Sequence, residues 1–307
     1  MQLKIINNMV EKSNPLVSII VVCYNHSNFI PDCFNSVLKQ SYKNTELIVF
    51  DNGSTDGSTE ILRSLQTEYG FLLICQENLG APKTCNIAIP MAKGKYITFI
   101  STDDYWPLDF IELTVEFLEH CDEKIAVCGG TSILIDKAGK IYRKQTFNEY
   151  HELEFKDVFL KGRNIPAVTS IFRTKVLNEV GGFDERHNIE DASMWLKITY
   201  LGYRIAFLNK LLGYYRHHET NISHRRDDLI EGIRTMYGDY SHLPGYERAL
   251  SNKFFRTFTR FLRIDKSYSF RFLRYVNIKY LKFSDIYLSL IFLLLPYKLI
   301  RRITRVI

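Results

Sequence analysis

The stretch KYITFISTDDYWP, residues 95–107, decides how this chain is read. Its first six residues are apolar or β-prone, which predicts a strand covered on both faces. That run stops at two adjacent carboxylates, Asp103 and Asp104, and then meets an aromatic and a proline. Paired acids in such a place form either a solvated turn or a cation site. Hard divalent ions such as Mg²⁺ or Mn²⁺ take oxygen ligands and keep positions for water and phosphate oxygens. A location directly after a buried strand favours the cation site.

Working outward toward the N-terminus, VSIIVVCYN reads as another fully covered strand, and SNFIPDCFNSVLKQS as a helix with Ile30, Phe34, Val37 and Leu38 on one face. TELIVF (45–50) and FLLIC (71–75) are further strands, separated by the turn DNGSTDGS and a helix carrying Ile61, Leu62 and Leu65. After the turn NLGAP, residues 83–92 have helical character. This alternation implies an α/β fold, a mostly parallel sheet joined by crossover helices. Ligands of such sheets sit beyond the carboxyl ends of the strands, so YNH, DNGSTD and STDD should converge on one crevice.

Beyond Pro107 the pattern predicts a helix through Phe110, Leu113, Val115, Phe117 and Leu118, then a short strand IAVCGG. Residues 131–165 show no regular pattern. An extended AVTSIFR, a turn VGGFDE and an amphipathic helix from about Glu190 to Leu201 follow. From residue 225 the chain reads as helical, basic and aromatic. From His224 onward it carries 17 Lys and Arg against 7 Asp and Glu, so the basic excess is C-terminal. The run IYLSLIFLLL, residues 286–295, is too short to span a bilayer, which takes roughly 20 apolar residues. Its arginine-rich, aromatic flanks suit either an interfacial helix on an anionic membrane or a helical subdomain packed on the core or on a second copy of the chain. No nucleic-acid-binding module accompanies the charge.

The six cysteines form no C-x-x-C pair and read as buried, reduced thiols. The N-terminus MQLKIINNMVEKSNP has no signal-peptide pattern, which leads to the expectation of a cytoplasmic protein.

The candidate chemistry lies at the predicted strand and helix ends. Asp51 can accept from a nucleobase imide N–H or simply close an Asx turn, and Tyr24 can stack on a base or pack. Glu190 and Asp191 begin a helix, where the positive dipole end keeps a carboxylate ionised. Such an acid can remove a proton from an attacking hydroxyl, or merely cap. Arg216, His217 and His218 stand together in YYRHHETNIS, suited to a diphosphate and its cation.

Taken in order, PLVSIIVVCYN, ELIVFDNGSTDGS, ENLGAPKTCN, GKYITFISTDD, GGFDE, EDASMWL and YRHHETNIS resemble the successive motifs of family 2 inverting glycosyltransferases of the GT-A fold. The resemblance covers residues 15 to about 223. It implies a GT-A domain over 15–223, with a nucleotide-binding half (15–105) and an acceptor half (106–223), an arm at 1–14 and a helical extension at 224–307. Val22, Tyr24, Asn25 and Asp51 would bind the nucleotide and Asp103 its ribose. Asp104 and His218 would hold Mn²⁺ or Mg²⁺, and Arg216 would meet the diphosphate. Asp191 would be the catalytic base, with Glu190 and Trp195 near the sugar or acceptor. Many members have an acid where Ser101 stands, a second Asp at Asn52 and Arg at Cys85; Lys83 is the expected substitute for that arginine.

The implied reaction moves a sugar from a nucleoside-diphosphate sugar, with UDP the expected nucleotide, to a hydroxyl of a glycan. The acceptor would be polyprenyl-diphosphate-linked at the inner face of the plasma membrane, with homo-oligomerisation through the C-terminal helices as a further option. The opposing reading is a noncatalytic sugar-nucleotide scaffold. A sugar nucleotidyltransferase fits less well, because CYNHSNFIP lacks the glycines of a phosphate loop.

Overall fold

The structure is a computed structural model that describes residues 14–145, 149–187, 189–218, 221, 229–262 and 265–281. The N-terminal half follows the expected alternation. Strands β1 (Val17–Cys23), β2 (Thr45–Asp51), β3 (Leu72–Cys75) and β4 (Tyr96–Ser101) are linked by α1 (Ile30–Leu38), α2 (Ser58–Tyr69) and α3 (Ala81–Ala88). Val17, Ile19, Ile20 and Val21 are all buried, so β1 is covered on both faces as its unbroken apolar text requires. β1 pairs in parallel with β2 on one side and β4 on the other, with Cys23 opposite Asp51 and Val22 opposite Ser101. The order in which strands are added reverses at β1, with β2 and β3 on one side and β4 on the other, so the loops after β1, β2 and β4 open onto the crevice where α/β sheets hold their ligands.

The second half adds α4 (Phe110–His120), β5 (Ile125–Asp136), β6 (Ile141–Gln145), β7 (His151–Leu153), α5 (Phe155–Phe159), β8 (Ile171–Arg173), α6 (Thr174–Glu179), α7 (Glu190–Tyr200) and β9 (Arg204–His217). The sheet order is β3-β2-β1-β4-β8-β5-β9-β7, with β6 paired to β5. β8 runs antiparallel between β4 and β5, while β5 and β9 are parallel. β9 has no counterpart in the sequence expectation, and β5 runs well past the short strand IAVCGG. The Gly129-Gly130 pair looks like a turn signal but serves close packing. A Cβ on Gly129 would lie 2.6 Å from Ile165 Cδ1, and one on Gly130 2.7 Å from the Lys210 carbonyl oxygen. β9 matters for function because it delivers Arg216 and His218 to the end of β4.

Helices α8 (Leu229–Gly238), α9 (Tyr246–Leu262) and α10 (Lys266–Leu273) do not form a separate core. Phe254, Phe258 and Phe261 recur at helical spacing along α9 and are buried with Ile233 and Met236 of α8. The same cluster contains Met194, Trp195 and Leu196 of α7. Each such ring contributes roughly 1.5–3 kcal/mol when fully buried, so the first part of the basic extension is fastened to the helix that starts at Glu190. The run 286–295 lies outside the described residues. Among the described residues, no helix is long and apolar enough to cross a membrane.

Candidate active site

The loop after β1 is stitched to the loop after β2. Asn25, the only described non-glycine residue at positive φ (55°), accepts the Thr55 N–H at 2.7 Å through its side-chain oxygen and donates its own N–H to Ser54 Oγ at 2.9 Å. The left-handed conformation is one asparagine tolerates, and it leaves Tyr24 exposed (40%) at the rim with its ring free. Val22 lies half-buried one step inside β1. Asp51 is buried; its Oδ1 accepts from Ser54 Oγ at 2.6 Å and its Oδ2 from Thr59 Oγ1. Asp51 closes an Asx-type turn, and each of its oxygens retains acceptor capacity. Asn52 is a network centre, accepting from Gln76 at 2.9 Å and Thr84 at 3.0 Å, which ties the end of β2 to α3. Lys83, on the first turn of α3, is exposed.

The two acids of STDD have different surroundings. Asp103 Oδ2 lies 3.0 Å from His218 Nε2, 3.3 Å from Asn221 Nδ2 and 3.8 Å from His26 Nε2. Its Oδ1 is buried with no hydrogen-bond partner. One ligand atom each from His26, Asp103 and His218 fall within 4.8 Å of one another. Burial works to raise the Asp103 pKa, but the His218 hydrogen bond and the neighbouring His26 outweigh it and hold the group below its usual value. Burial also lowers the His26 pKa, favouring the neutral imidazole that can act as a ligand. Asp104 instead accepts the Arg216 backbone N–H at 2.8 Å, and burial together with the Asp103 charge pushes its carboxyl well up. An orphaned carboxylate oxygen beside two imidazoles is a donor set that fits a divalent cation. Asp103 rather than Asp104 occupies that position, and His26 is a member that the sequence reading passed over although it stands in YNH.

Arg216 does not face open space. It is buried, with Nε donating to the Asp103 carbonyl at 2.9 Å, one terminal nitrogen to the Lys137 carbonyl at 3.2 Å and the other to Asp32 Oδ2 at 2.7 Å. Phe29 and Tyr105 flank the guanidinium at 4.9 and 5.7 Å. The expected diphosphate ligand is thus committed to protein acceptors and positions the STDD loop. Its neighbour His217 is exposed.

On the other side, Glu190 and Asp191 open α7. Asp191 is half-buried and its Oδ1 accepts the Ala192 N–H at 2.6 Å. Lys253 and Arg260 of α9 both sense the charge of Asp191. Trp195 is not a surface contact for a sugar: it is buried, stacked on Phe172 at 5.6 Å, with its Nε1 lacking a partner. The turn before α7 is held to α3 by Asn86, whose side chain accepts from the Phe183 N–H at 2.7 Å and donates to the Phe183 carbonyl at 3.0 Å. Asn86 sits in the quoted motif ENLGAPKTCN, where no chemistry marked it out.

Comparison with known proteins agrees with this architecture. The family model described as Glycosyl transferase family 2 matches residues 18–181. The Escherichia coli protein named UDP-Glc:alpha-D-GlcNAc-diphosphoundecaprenol beta-1,3-glucosyltransferase WfaP is 33% identical over 212 residues, covering 68% of this chain and 80% of that one. The putative teichuronic acid biosynthesis glycosyltransferase TuaG of Bacillus subtilis is 29% identical, with 75% and 90% covered. Glycosyltransferase GlyA of Streptococcus pneumoniae is 27% identical, but the match spans only 31% of its length. Among solved structures, S. aureus TarS 1-349 in complex with UDP-GlcNAc superposes with a TM-score of 0.64 at 21% identity, covering 86% of this chain and 82% of that one. The mannosyltransferase PcManGT from Pyrobaculum calidifontis, in complex with GDP-Man and Mn2+, gives 0.61 at 16% identity, covering 95% and 84%. With that family match and those relatives on a GT-A architecture, the chain belongs to glycosyl transferase family 2, the glycosyltransferases of polysaccharide synthesis.

Proposed function

We propose that this protein is an inverting glycosyltransferase that moves a sugar from a UDP-sugar to a hydroxyl of a lipid-linked glycan. The observation that carries this reading is the Asp103–His26–His218 cluster with its orphaned carboxylate oxygen, set at the end of β4 beside the loops of β1 and β2. UDP is supported by the names of WfaP and of the TarS complex, and Mn²⁺ by that of the PcManGT complex. Tyr24 stacks on the base and Asp51 accepts from its imide edge. Asp103 and His218, with His26, would hold Mn²⁺ or Mg²⁺. Such an ion would supply positive charge against the charge growing on the departing diphosphate.

The chain's own residues supply the rest. Asp191, half-buried at the start of α7, accepts the acceptor hydroxyl's proton as that oxygen attacks the anomeric carbon. The nucleoside diphosphate leaves from the opposite face. With Asp191 acting as a base and not as a nucleophile the displacement is direct, so the configuration inverts. Residues 15–223 make up the transferase unit, and the basic helices after it place the unit at the cytoplasmic membrane surface, where a polyprenyl-diphosphate acceptor presents its sugar.

The test is Asp191→Asn. It should lower transfer by ~10²–10⁴-fold, the range of a general base, while UDP affinity in calorimetry stays at the wild-type value. Undiminished transfer in this variant would remove Asp191 from the mechanism, and absence of any nucleotide-sugar binding by the wild type would overturn the reading as a whole.

A further inference from the structure

Thr102, the residue before Asp103, touches the cation cluster without being a member of it. It is fully buried, and its N–H donates to the Val22 carbonyl at 3.1 Å, which fixes it against the end of β1. Its Oγ1 lies 3.0 Å from His26 Nδ1. The loop that brings the imidazole here is itself tied down: the His26 N–H donates to Ser58 Oγ at 3.1 Å, and the Phe29 and Ile30 N–H groups donate to the His26 carbonyl. The ring stands edge-on to Phe29 and His218, at 5.9 and 5.7 Å between centroids.

These contacts locate the ring but do not decide which of its nitrogens faces the cluster. A half-turn about the Cβ–Cγ bond exchanges Nδ1 with Cδ2 and Nε2 with Cε1, and apolar packing distinguishes the two poses poorly. The Thr102 hydroxyl distinguishes them, because it hydrogen-bonds a ring nitrogen and not a ring carbon. With Nδ1 on Thr102, Nε2 faces Asp103, 3.8 Å from Oδ2, and the three ligand atoms of His26, Asp103 and His218 gather within 4.8 Å. A cation on Nε2 leaves the ring's one proton on Nδ1, which then donates to Oγ1. The hydroxyl's own proton has the Cys23 thiol, its other hydrogen-bond partner, as acceptor.

From this geometry we infer that Thr102 is the positioning residue that commits His26 Nε2 to the cation, and that the resulting pair of imidazoles makes the site favour first-row transition ions over Mg²⁺. The inference rests on the cation site proposed above and adds how a half-buried histidine is held to it and what that selects. Imidazole nitrogen suits the borderline transition ions, whereas Mg²⁺ keeps to oxygen and to its own waters. Losing His26 therefore weakens Mn²⁺ far more than Mg²⁺. Losing the Thr102 hydroxyl does the same without touching the ion, since the ring is then free to present Cε1, a carbon with no lone pair.

The full chain is titrated with Mn²⁺, followed by electron paramagnetic resonance, and with Mg²⁺ in competition, both with and without UDP. Thr102→Val and His26→Gln should each lower the ratio of Mn²⁺ to Mg²⁺ affinity by ~10-fold or more, the scale of outer-shell partners of metal-bound histidines. Mg²⁺ affinity should stay within ~3-fold of wild type, which shows that the variants are folded and that only the nitrogen ligand is lost. Thr102→Ser keeps the hydroxyl and should restore the wild-type ratio. The double variant should fall no further than His26→Gln alone, because Thr102 acts through His26. Pulsed measurements on bound Mn²⁺ should show nitrogen couplings from two imidazoles in the wild type and in Thr102→Ser, and from one in Thr102→Val and His26→Gln. A ratio unchanged in Thr102→Val, a further loss in the double variant, or a single imidazole on the wild-type ion would overturn the inference. His26→Gln and the wild-type couplings decide it if Thr102→Val does not fold. A wild type that takes up neither ion removes the cation site and the inference together. A wild type that binds ions but no UDP strikes the transferase reading instead, and the ratio measured without UDP still decides the inference.

Discussion

Arg216→Met separates two roles for the buried arginine, which the sequence places on a diphosphate and the structure places under the STDD loop. Three side-chain hydrogen bonds vanish, to the carbonyls of Asp103 and Lys137 and to Asp32. Charge-assisted bonds of this kind contribute ~1.5–3 kcal/mol each, but they are not lost equally. Asp32 is 60% exposed in its side chain and Lys137 is exposed, so water replaces the guanidinium at both. The Asp103 carbonyl lies in the buried cluster, and stranding it costs ~1–3 kcal/mol. The ring faces of Phe29 and Tyr105 lose a desolvated cation, adding ~1–2 kcal/mol. The total, ~2–5 kcal/mol, overlaps the usual cost of removing one partner from a buried charged pair. With an unfolding entropy of ~2.1 cal/mol/K per residue over 307 residues, that is a fall in Tm of ~3–8 °C. Differential scanning calorimetry without nucleotide measures it. A variant as stable as the wild type that has lost only its affinity for UDP relative to UMP would refute the positioning role and restore the diphosphate contact.

The two acids of the STDD loop should part company on substitution. Asp104→Asn keeps an oxygen to accept the Arg216 N–H and should change Mn²⁺ affinity less than ~3-fold, whereas Asp103→Asn removes the charge facing His26 and His218 and should weaken it by at least ~10-fold; Mn²⁺ titration followed by electron paramagnetic resonance decides, and the reverse order refutes the assignment. Gly94→Ala should destabilise by ~3 kcal/mol or more in urea unfolding, because a Cβ there would lie 2.6 Å from the Ser18 nitrogen and 2.6 Å from the Tyr96 oxygen, both backbone atoms of paired strands; a loss under ~1 kcal/mol contradicts it. Asp184 gains a hydrogen bond from Arg186 that lowers its pKa from 3.8 to about 2, with His187 and Asp239 adjoining. A depressed carboxylate contributes stability above its unfolded pKa and loses it as pH falls through the folded one, so Asp184→Asn should flatten the stability profile between pH 3.8 and about 2, by ~1–2 kcal/mol after allowance for the exposed Arg186.

The parts legible in the sequence were those whose pattern is local. Each strand from β1 to β4 is an apolar run bounded by turn residues, and the crossover rule fixes which ends share a crevice. β9 escaped because RIAFLNKLLGYYRH alternates poorly: its exposed stretch around Asn209 and Lys210 falls where the pairing with β5 shifts register. β5 was truncated because residues 131–165 show no regular pattern, and the packing of Ile165 and Leu212 against its glycine pair has no mark in the sequence. At the site, residue types were legible and partners were not. Two adjacent aspartates announce a cation site, yet which of them faces it depends on the pleat and on a backbone N–H delivered from 112 residues away. His26 had no marker other than its place after Tyr24, and Asn86 none at all, since its partner lies 97 residues on.

That last contact bears on how transfer is organised. Helix α3, which carries Lys83 and Asn86, follows β3, while Phe183 and Glu185 lie in the turn that leads to α7 and Asp191. Asn86 grips this turn through both its amide groups, to the backbone of Phe183 and to Glu185 Oε1 at 2.7 Å, and Gly182 at φ 71° has no room for a Cβ beside the Asn86 side chain. Lys197 of α7 closes the same turn by donating to the Gly182 carbonyl. Helices α3 and α7 are therefore tied directly through this turn as well as through the sheet. Helix α9 shares a buried cluster with α7 that includes Trp195 and Phe258, and Lys253 lines the same recess as Ala192 and Trp195. An in-line displacement needs its base, acceptor and donor held together to within a fraction of an ångström. In this chain the helix that begins at Glu190 is braced on one side by Asn86 and on the other by the buried cluster it shares with α8 and α9, so these two helices are packed into the same body as the helix that carries Asp191.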